Sequence, residues 1–118
     1  MALTPMEFGD STTTGTMTAG TNVTISGLSL RKNGNVCTLT GYAAISNGQT
    51  IAGTNATILT LPAGYRPSSA VLIVVYTHYG ASDSMVTCAI NTDGTIKTSH
   101  GSQTLSGNIY FFTTYLIS

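Results

Sequence analysis

Residues 60–80 read TLPAGYRPSSAVLIVVYTHYG and contain the longest apolar run of the chain. A short strand ends at Leu61, and a rigid corner bracketed by Pro62 and Pro67 follows it. The corner leads into this run, residues 70–76. Every position of this run is apolar, rather than every second one, so both faces of the predicted strand need cover. Since one small domain covers one face with its own core, the second face predicts contact with another subunit.

The composition describes one domain with little charge. The chain has 118 residues, which is enough for a hydrophobic core without disulfide or metal support. Charged residues make up 7% of it, against about 25% in a typical soluble domain. Four basic and four acidic residues give a formal net charge of zero, which argues against a nucleic-acid-binding protein. A surface poor in Lys and Glu is expected where much of it lies in subunit contacts.

No targeting or membrane segment is visible. The N-terminal residues lack the basic and apolar regions of a signal peptide, and no apolar run approaches the ~20 residues of a membrane helix. We therefore expect a soluble protein that is made in a cytoplasm and does not insert into a membrane. Cys37 and Cys88 are too few for a secreted disulfide framework and fall at core-facing positions, which predicts buried free thiols. A disulfide between them stays open as an alternative.

The chain divides into an arm and a head. Residues 7–20 are rich in Thr, Gly and Ser without any period, so we predict a flexible N-terminal arm or linker over residues 1–20. From Thr21 the pattern changes to short strand-like runs separated by turn residues, and this pattern continues to the C-terminus. The head domain is therefore predicted to span residues 21–118.

Short strands and turn signals alternate through the head, and no stretch has helical periodicity. Asn33-Gly34 predicts a tight hairpin whose return strand is residues 36–44, and residues 91–95 predict a second hairpin with Gly94 at a positive φ. Residues 46–55 and 101–107 are predicted loops, and residues 80–83 a turn. This pattern predicts an antiparallel β-sandwich of jelly-roll type.

The last predicted strand is apolar on both faces. Alternation places one set of side chains on one face and another on the opposite face: Ile109, Phe111, Tyr115 and Ile117 against Tyr110, Phe112 and Leu116. Packing of sheet on sheet covers one set, and another subunit is the simplest cover for the second. The residues alone therefore predict self-association, without fixing the number of copies.

The sequence resembles the C-terminal head domains of tailed-phage tail fibre and baseplate receptor-binding proteins. Three segments carry the resemblance: TLPAGYRP at residues 60–67, the INTDGTI hairpin at residues 90–96, and the last strand at residues 109–118. The resemblance implies a homotrimeric β-sandwich head at the tail tip of a virion that binds host surface carbohydrate non-covalently. It also implies attachment to other virion tail proteins through the N-terminal arm. Receptor-contacting residues vary among such heads, so none is carried over by motif.

Two groups of residues are candidates for binding a saccharide. Tyr76, His78, Tyr79 and Asp83 cluster at the exit of the long strand, and His100 and Gln103 belong to a short polar loop. Aromatic rings stack on the C–H faces of sugars, while carboxylate, imidazole and amide groups exchange hydrogen bonds with the hydroxyls. The alternative is that the tyrosine rings are buried in a subunit contact and that the loop is only a solvated connection.

The corner is interpreted as structural. Pro67 favours an extended conformation at Arg66, so that Tyr65 packs as a lid while the guanidinium binds loop carbonyls, and Gly64 permits the turn after Pro62. A ligand contact by Arg66 is the alternative interpretation.

No catalytic motif is present in the sequence, so we predict a binding protein rather than an enzyme. We expect no cofactor, and His78 and His100 lack the spacing of metal ligands, so no metal site is predicted. Two other classes of function stay open. One is a structural virion adaptor or decoration protein without glycan binding, and the other is an enzyme that acts on surface polysaccharide.

Overall fold

The computed structural model describes residues 12–45, 51–52, 57–79, 82–98, 104–105 and 107–117. Within these ranges the chain is all-β, and every strand pairing is antiparallel. No helix among the described residues is long and apolar enough to cross a membrane. The all-β antiparallel class predicted from the sequence is confirmed.

Twelve strands are defined in the described residues. They are β1 Thr12–Thr14, β2 Thr18–Ala19, β3 Val23–Ile25, β4 Ser29–Asn33, β5 Val36–Ile45, β6 Ile51–Ala52, β7 Thr57–Thr60, β8 Val71–Tyr79, β9 Ser82–Ile90, β10 Thr95–Thr98, β11 Thr104–Leu105 and β12 Asn108–Leu116.

Ten of these strands form one large curled sheet. Nine follow the order β1-β4-β5-β12-β8-β9-β10-β7-β2, and β3 pairs with the distal half of β5. β1 and β2 lie at opposite ends of this order, yet only three residues separate them in the chain. The sheet therefore curls until its two ends approach each other, with the short segment between β1 and β2 joining them. β6 and β11 form a separate two-stranded sheet.

One face of the curled sheet lines a single core. The buried side chains alternate along each long strand as the sequence predicts. They include Cys37, Leu39 and Ala43 of β5, Ile73 and Val75 of β8, Val86, Cys88 and Ile90 of β9, and Ile109, Phe111 and Tyr115 of β12. Both cysteines are free and buried, which confirms the interpretation of Cys37 and Cys88 as core thiols.

Both predicted hairpins are present. β4 and β5 are joined by Gly34 and Asn35, and a positive φ at Gly34 alone, at 62°, matches a type II′ turn. β9 and β10 are joined by the second hairpin, in which Gly94 has a φ of 90° and donates to the Asn91 carbonyl at 2.9 Å. These turns fix the pairing register of the strands that they connect.

Residues 12–19, which we call the N-terminal strap, differ from the sequence expectation of a flexible arm. β1 pairs with β4, β2 pairs with β7, and the Gly15 amide donates to the Leu30 carbonyl at 3.1 Å. Met17 is 9% exposed and belongs to the core. The strap has little apolar periodicity because each of its strands is only two or three residues long. Its order comes from pairing with strands distant in sequence. Residues 1–11 of the predicted arm lie outside the described residues.

Three predicted connections are shorter than expected. Ile51–Ala52 and Thr104–Leu105 are strands inside two segments predicted to be loops, and they pair with each other. β9 begins at Ser82, so the predicted turn over residues 80–83 loses its last two residues to a strand. A strand of two residues is too short to be recognised from alternation in the sequence. The pairing between β8 and β9 continues as far as Tyr79 and Ser82, so it reaches into the predicted turn.

Candidate functional site

The face of the sheet opposite the core carries a set of exposed apolar side chains, which we call the outer face. Four strand residues define it: Leu72 and Val74 of β8, Met85 of β9, and Phe112 of β12. The exposed fraction is 72% for Leu72, 74% for Met85 and 89% for Phe112. The second apolar face predicted for β8 and β12 is therefore present, and no part of the described chain covers these side chains.

A row of tyrosines crosses the sheet on this face. Tyr42 of β5 is paired with Tyr110 of β12, which is paired with Tyr76 of β8, which is paired with Met85 of β9. The ring centroids are 5.7 Å apart for Tyr42 and Tyr110 and 5.8 Å apart for Tyr110 and Tyr76. Such tilted pairs lie in the range where aromatic rings attract each other. Tyr42 and Tyr76, at the two ends of the row, are partly exposed, and Tyr110 between them is half-buried.

The predicted ligand-binding residues of the long strand collect at one end of the sheet, which we call the loop end. In the backbone register His78 is paired with Asp83, and Tyr79 with Ser82. Asn108, the first residue of β12, is paired with His78 as well. The structure thus brings the positions of Tyr76, His78, Tyr79 and Asp83 together on one hairpin. His100 and Gln103 lie outside the described residues.

At the opposite end of the sheet, the corner is tied to three strands. The Tyr65 hydroxyl donates to Thr13 Oγ1 at 3.1 Å, and the Tyr115 hydroxyl donates to the Tyr65 carbonyl at 2.6 Å. Lys32 Nζ donates to the Gly64 carbonyl at 2.8 Å and lies 4.6 Å from the centre of the Tyr65 ring. Gly64 has a φ of 91°, and Tyr65 is buried. These contacts hold the corner against β1, β4 and β12.

Arg66 is part of the same corner. Its Nε donates to the Leu61 carbonyl at 3.0 Å, and the Leu61 amide donates to the Gly94 carbonyl at 2.8 Å. A Cβ atom added at Gly94 would lie 2.6 Å from Arg66 Nε and 2.7 Å from the Leu61 oxygen. The side chain of Arg66 therefore lies across the second hairpin. Pro62 and Pro67, half-buried and buried, bracket this contact.

Three titratable groups of the described core, Cys37, Cys88 and Tyr115, are held in their neutral forms. Burial raises the pKa of the Cys88 thiol to about 12 and also raises the pKa of Cys37, against the hydrogen bond of Tyr115 and the charge of Lys32. Burial raises the pKa of the Tyr115 hydroxyl too, with Cys37 adding to the effect. A thiol whose pKa is raised holds little thiolate at neutral pH, so these groups serve packing.

On the surface, the Asp93 carboxylate accepts hydrogen bonds from Thr95 Oγ1 at 2.7 Å and from the Thr95 amide at 3.0 Å. These bonds hold the pKa of Asp93 below its usual range, the side-chain bond contributing most. Asp93 is thereby engaged in the turn of the second hairpin. Within the described residues no three His, Cys, Asp or Glu side chains come together as a metal site would require.

Sequence reasoning missed a groove on the first hairpin, which we call the hairpin groove. Arg31, Asn33, Val36 and Thr38 line it, and its volume is about 290 Å³. The signal was present in the sequence. A two-residue turn at Gly34-Asn35 pairs Asn33 with Val36 and Arg31 with Thr38, which places all four side chains on one face.

Comparisons with known proteins give a match at the level of structure. No protein-family model matches the chain, and no curated protein matches its sequence. Among solved structures, the head domain of phage bIL170, described together with the receptor-binding domains of lactococcal phages, is similar with a TM-score of 0.63 and 13% sequence identity. The match covers 88% of this chain and 99% of that chain. The curled antiparallel sheet of this protein therefore has the fold of a phage receptor-binding head domain.

Proposed function

We propose that this chain is the receptor-binding head of a phage tail fibre or baseplate protein, made in the host cytoplasm and carried at the tail tip of the virion. The observation that supports the proposal most is the fold match, because it includes 99% of the phage bIL170 head domain rather than one motif of it. The TLPAGYRP corner and the INTDGTI hairpin, which carry the sequence resemblance, contact each other in this fold through Arg66 and Leu61.

The head is proposed to act as a homotrimer that associates through the outer face. Leu72, Val74, Met85 and Phe112 expose apolar side chains on three neighbouring strands, and a contiguous patch of this kind is typical of a contact with another protein. Other copies of the chain are a suitable cover, since the formal net charge of zero removes repulsion between them. The number three comes from the family resemblance.

The ligand is proposed to be host surface carbohydrate, bound without cleavage at the loop end. Tyr76 offers a partly exposed ring at the margin of the tyrosine row, and the backbone positions of His78 and Asp83 lie two residues further along the same hairpin. Stacking on aromatic rings and hydrogen bonds to hydroxyls suit a weak contact per copy. Three copies would supply avidity on a repeating polysaccharide.

A binding experiment on bacterial cells tests this function. Fluorescently labelled protein is applied to a panel of strains that includes lactococci, and the purified surface polysaccharide of each bound strain is used as competitor. We expect binding that the polysaccharide removes, and we expect Tyr79→Ala and His100→Ala to weaken it about 10-fold or more, the loss of roughly one stacking or charge-assisted contact.

The matched control is Thr92→Ala, an exposed residue in the second hairpin at the opposite end of the sheet. It should leave binding unchanged while the assembled mass of all variants stays the same. Binding to a purified virion tail protein through residues 1–20, with no binding to any cell or polysaccharide, would instead support the structural adaptor. Release of reducing sugar ends would contradict binding without cleavage.

A further inference from the structure

We propose that the hairpin groove is a second saccharide subsite, specific for a sugar that carries an anionic substituent, either a carboxylate or a phosphate. Arg31, Asn33, Val36 and Thr38 line this groove on the outer side of β4 and β5. The inference rests on the proposed receptor-binding function, since it names a ligand class for that function. It adds a site that is remote from the loop end.

The charge of Arg31 is the first argument. The chain has four cations, and three of them have partners: Lys32 on the Gly64 carbonyl, Arg66 on the Leu61 carbonyl, and Lys97 near Asp93. Arg31 has no hydrogen-bond, ion-pair or ring partner among the described residues. A guanidinium left to solvent in a concave site is suited to bind an anion through two parallel N–H···O hydrogen bonds.

The chemistry of the lining is the second argument. Arg31 is paired with Thr38 and Asn33 with Val36, and the Cβ atoms of residues opposite each other on antiparallel strands lie about 4.5–5.5 Å apart. The groove thus presents a cation beside a hydroxyl and an amide beside an apolar side chain. An acidic sugar needs this combination: an anion partner, groups that bind its hydroxyls, and an apolar surface for a ring face.

The size and support of the groove are the third argument. A volume of about 290 Å³ lies at the lower end of small-ligand sites, so it suits one sugar ring better than an oligosaccharide. The groove is built on regular strands, and residues 36–40 of β5 are paired with β4 on one side and with β12 on the other. Sites on paired strands hold their side chains more precisely than sites on loops do.

The groove lies at the end of the sheet that is remote from the loop end, because Val36 is paired with Leu116 at the end of β12 while Asn108 at its start is paired with His78. It borders the outer face, since Thr38 is two residues from Thr40, the partner of Phe112. Arg31 and Asn33 belong to β4, which β5 separates from β12 in the sheet. The cation and the amide therefore lie on the side of the groove away from the proposed contact between copies.

Titration of single sugars into the full chain tests the proposal. Glucuronate and glucose 6-phosphate carry the two kinds of anion, and glucose is the neutral reference. Chemical shifts of backbone amides report where each sugar binds. We expect one or both acidic sugars to shift Arg31, Asn33 and Thr38 with millimolar affinity, at least 10-fold tighter than glucose.

Arg31→Gln is the test variant, because it removes the charge from an exposed side chain and keeps hydrogen-bonding ability. Lys97→Gln is its control, with the same change of net charge on β10, a strand that pairs with neither β4 nor β5. Arg31→Gln should weaken the acidic sugar about 10-fold or more, and Lys97→Gln should leave it unchanged. Equal weakening by both variants, an equal affinity for glucose, or no shift at the groove would overturn the proposal.

Failure of this inference is distinguishable from failure of the proposed function. If labelled Arg31→Gln protein binds host cells as the unmodified chain does, the groove is not a receptor subsite although the head still binds its receptor. If acidic sugars bind at the groove but the protein binds no cell or polysaccharide, the subsite exists and the receptor-binding function is wrong. The cell-binding experiment thus tests the receptor-binding function, and the sugar titration tests the subsite.

Discussion

At the scale of single residues, Tyr115 joins the last strand to the corner. Its hydroxyl is buried and donates to the Tyr65 carbonyl at 2.6 Å, so Tyr115→Phe leaves that carbonyl without its partner. We expect a loss of about 1–3 kcal/mol in the free energy of unfolding, measured by urea denaturation. Tyr42→Phe, at a partly exposed ring of the outer face, is the control and should change stability by less than about 0.5 kcal/mol. Equal effects would contradict the role of this hydrogen bond.

The raised pKa of Cys88 predicts that the free energy of unfolding decreases as the pH rises in the alkaline range. Burial raises the pKa of its thiol from an ordinary value of 9.0 to about 12. Between these values the unfolded chain releases a proton that the folded chain keeps, so stability falls as the pH rises. We expect the fall between pH 9 and 10.5 to be smaller for Cys88→Ala, by up to about 1.4 kcal/mol per pH unit.

The control for this pH experiment is Val86→Ala, a buried neighbour on the same face of β9. It lowers stability by creating a cavity and carries no titratable group, so its curve should run parallel to that of the unmodified chain. Cys37 and Tyr115 titrate in the same direction in all three proteins and cancel in the comparison. Parallel curves for Cys88→Ala as well would contradict the raised pKa.

At the scale of elements, the N-terminal strap is a part of the fold. Met17 is buried among core residues, whereas Thr16 beside it is exposed. Met17→Ala should therefore cost about 2–4 kcal/mol in the free energy of unfolding, and Thr16→Ala should cost close to nothing. Urea denaturation of the two variants separates the possibilities, because a flexible arm would make both substitutions neutral.

Most strands of the head could be predicted from the sequence, and the strap could not. In β5, β9 and β12, which have nine or ten residues, alternation in the sequence correctly predicts which side chains face the core. The glycines Gly34 and Gly94 correctly predict where the two hairpin turns lie. β1, β2, β6 and β11 are two or three residues long, which is too short to establish an alternating pattern. Their pairing is set by strands distant in sequence, so the local pattern carries no trace of it.

One of the two candidate sites could be predicted from the sequence and the other could not, because only the first is formed by residues that are close in the chain. The clustering of Tyr76, His78, Tyr79 and Asp83 followed from neighbouring positions in the chain, and their backbone positions do come together on the β8–β9 hairpin. The hairpin groove requires side chains from two strands, so Arg31 and Thr38 become neighbours only when the register is applied. Such a cross-strand pair carries no motif in the sequence.

At the scale of the whole molecule, the outer face decides the assembly. Phe112 is 89% exposed, so Phe112→Ser should leave the folding of one copy almost unchanged. If other copies cover this side chain, the substitution removes about 1.5–3 kcal/mol of burial from each copy in the assembly. We expect the variant to dissociate at concentrations where the unmodified protein stays assembled. Thr114→Ser, an exposed position of the same strand, should have no such effect.

The mass of the purified protein in solution, measured by light scattering at micromolar concentration, tests the central claim that other copies cover the outer face. One copy has a mass of 12.2 kDa, and we expect a stable particle of three times this mass that Phe112→Ser reduces towards a single copy. A stable monomer of the unmodified chain, or a particle that Phe112→Ser leaves intact, would contradict it.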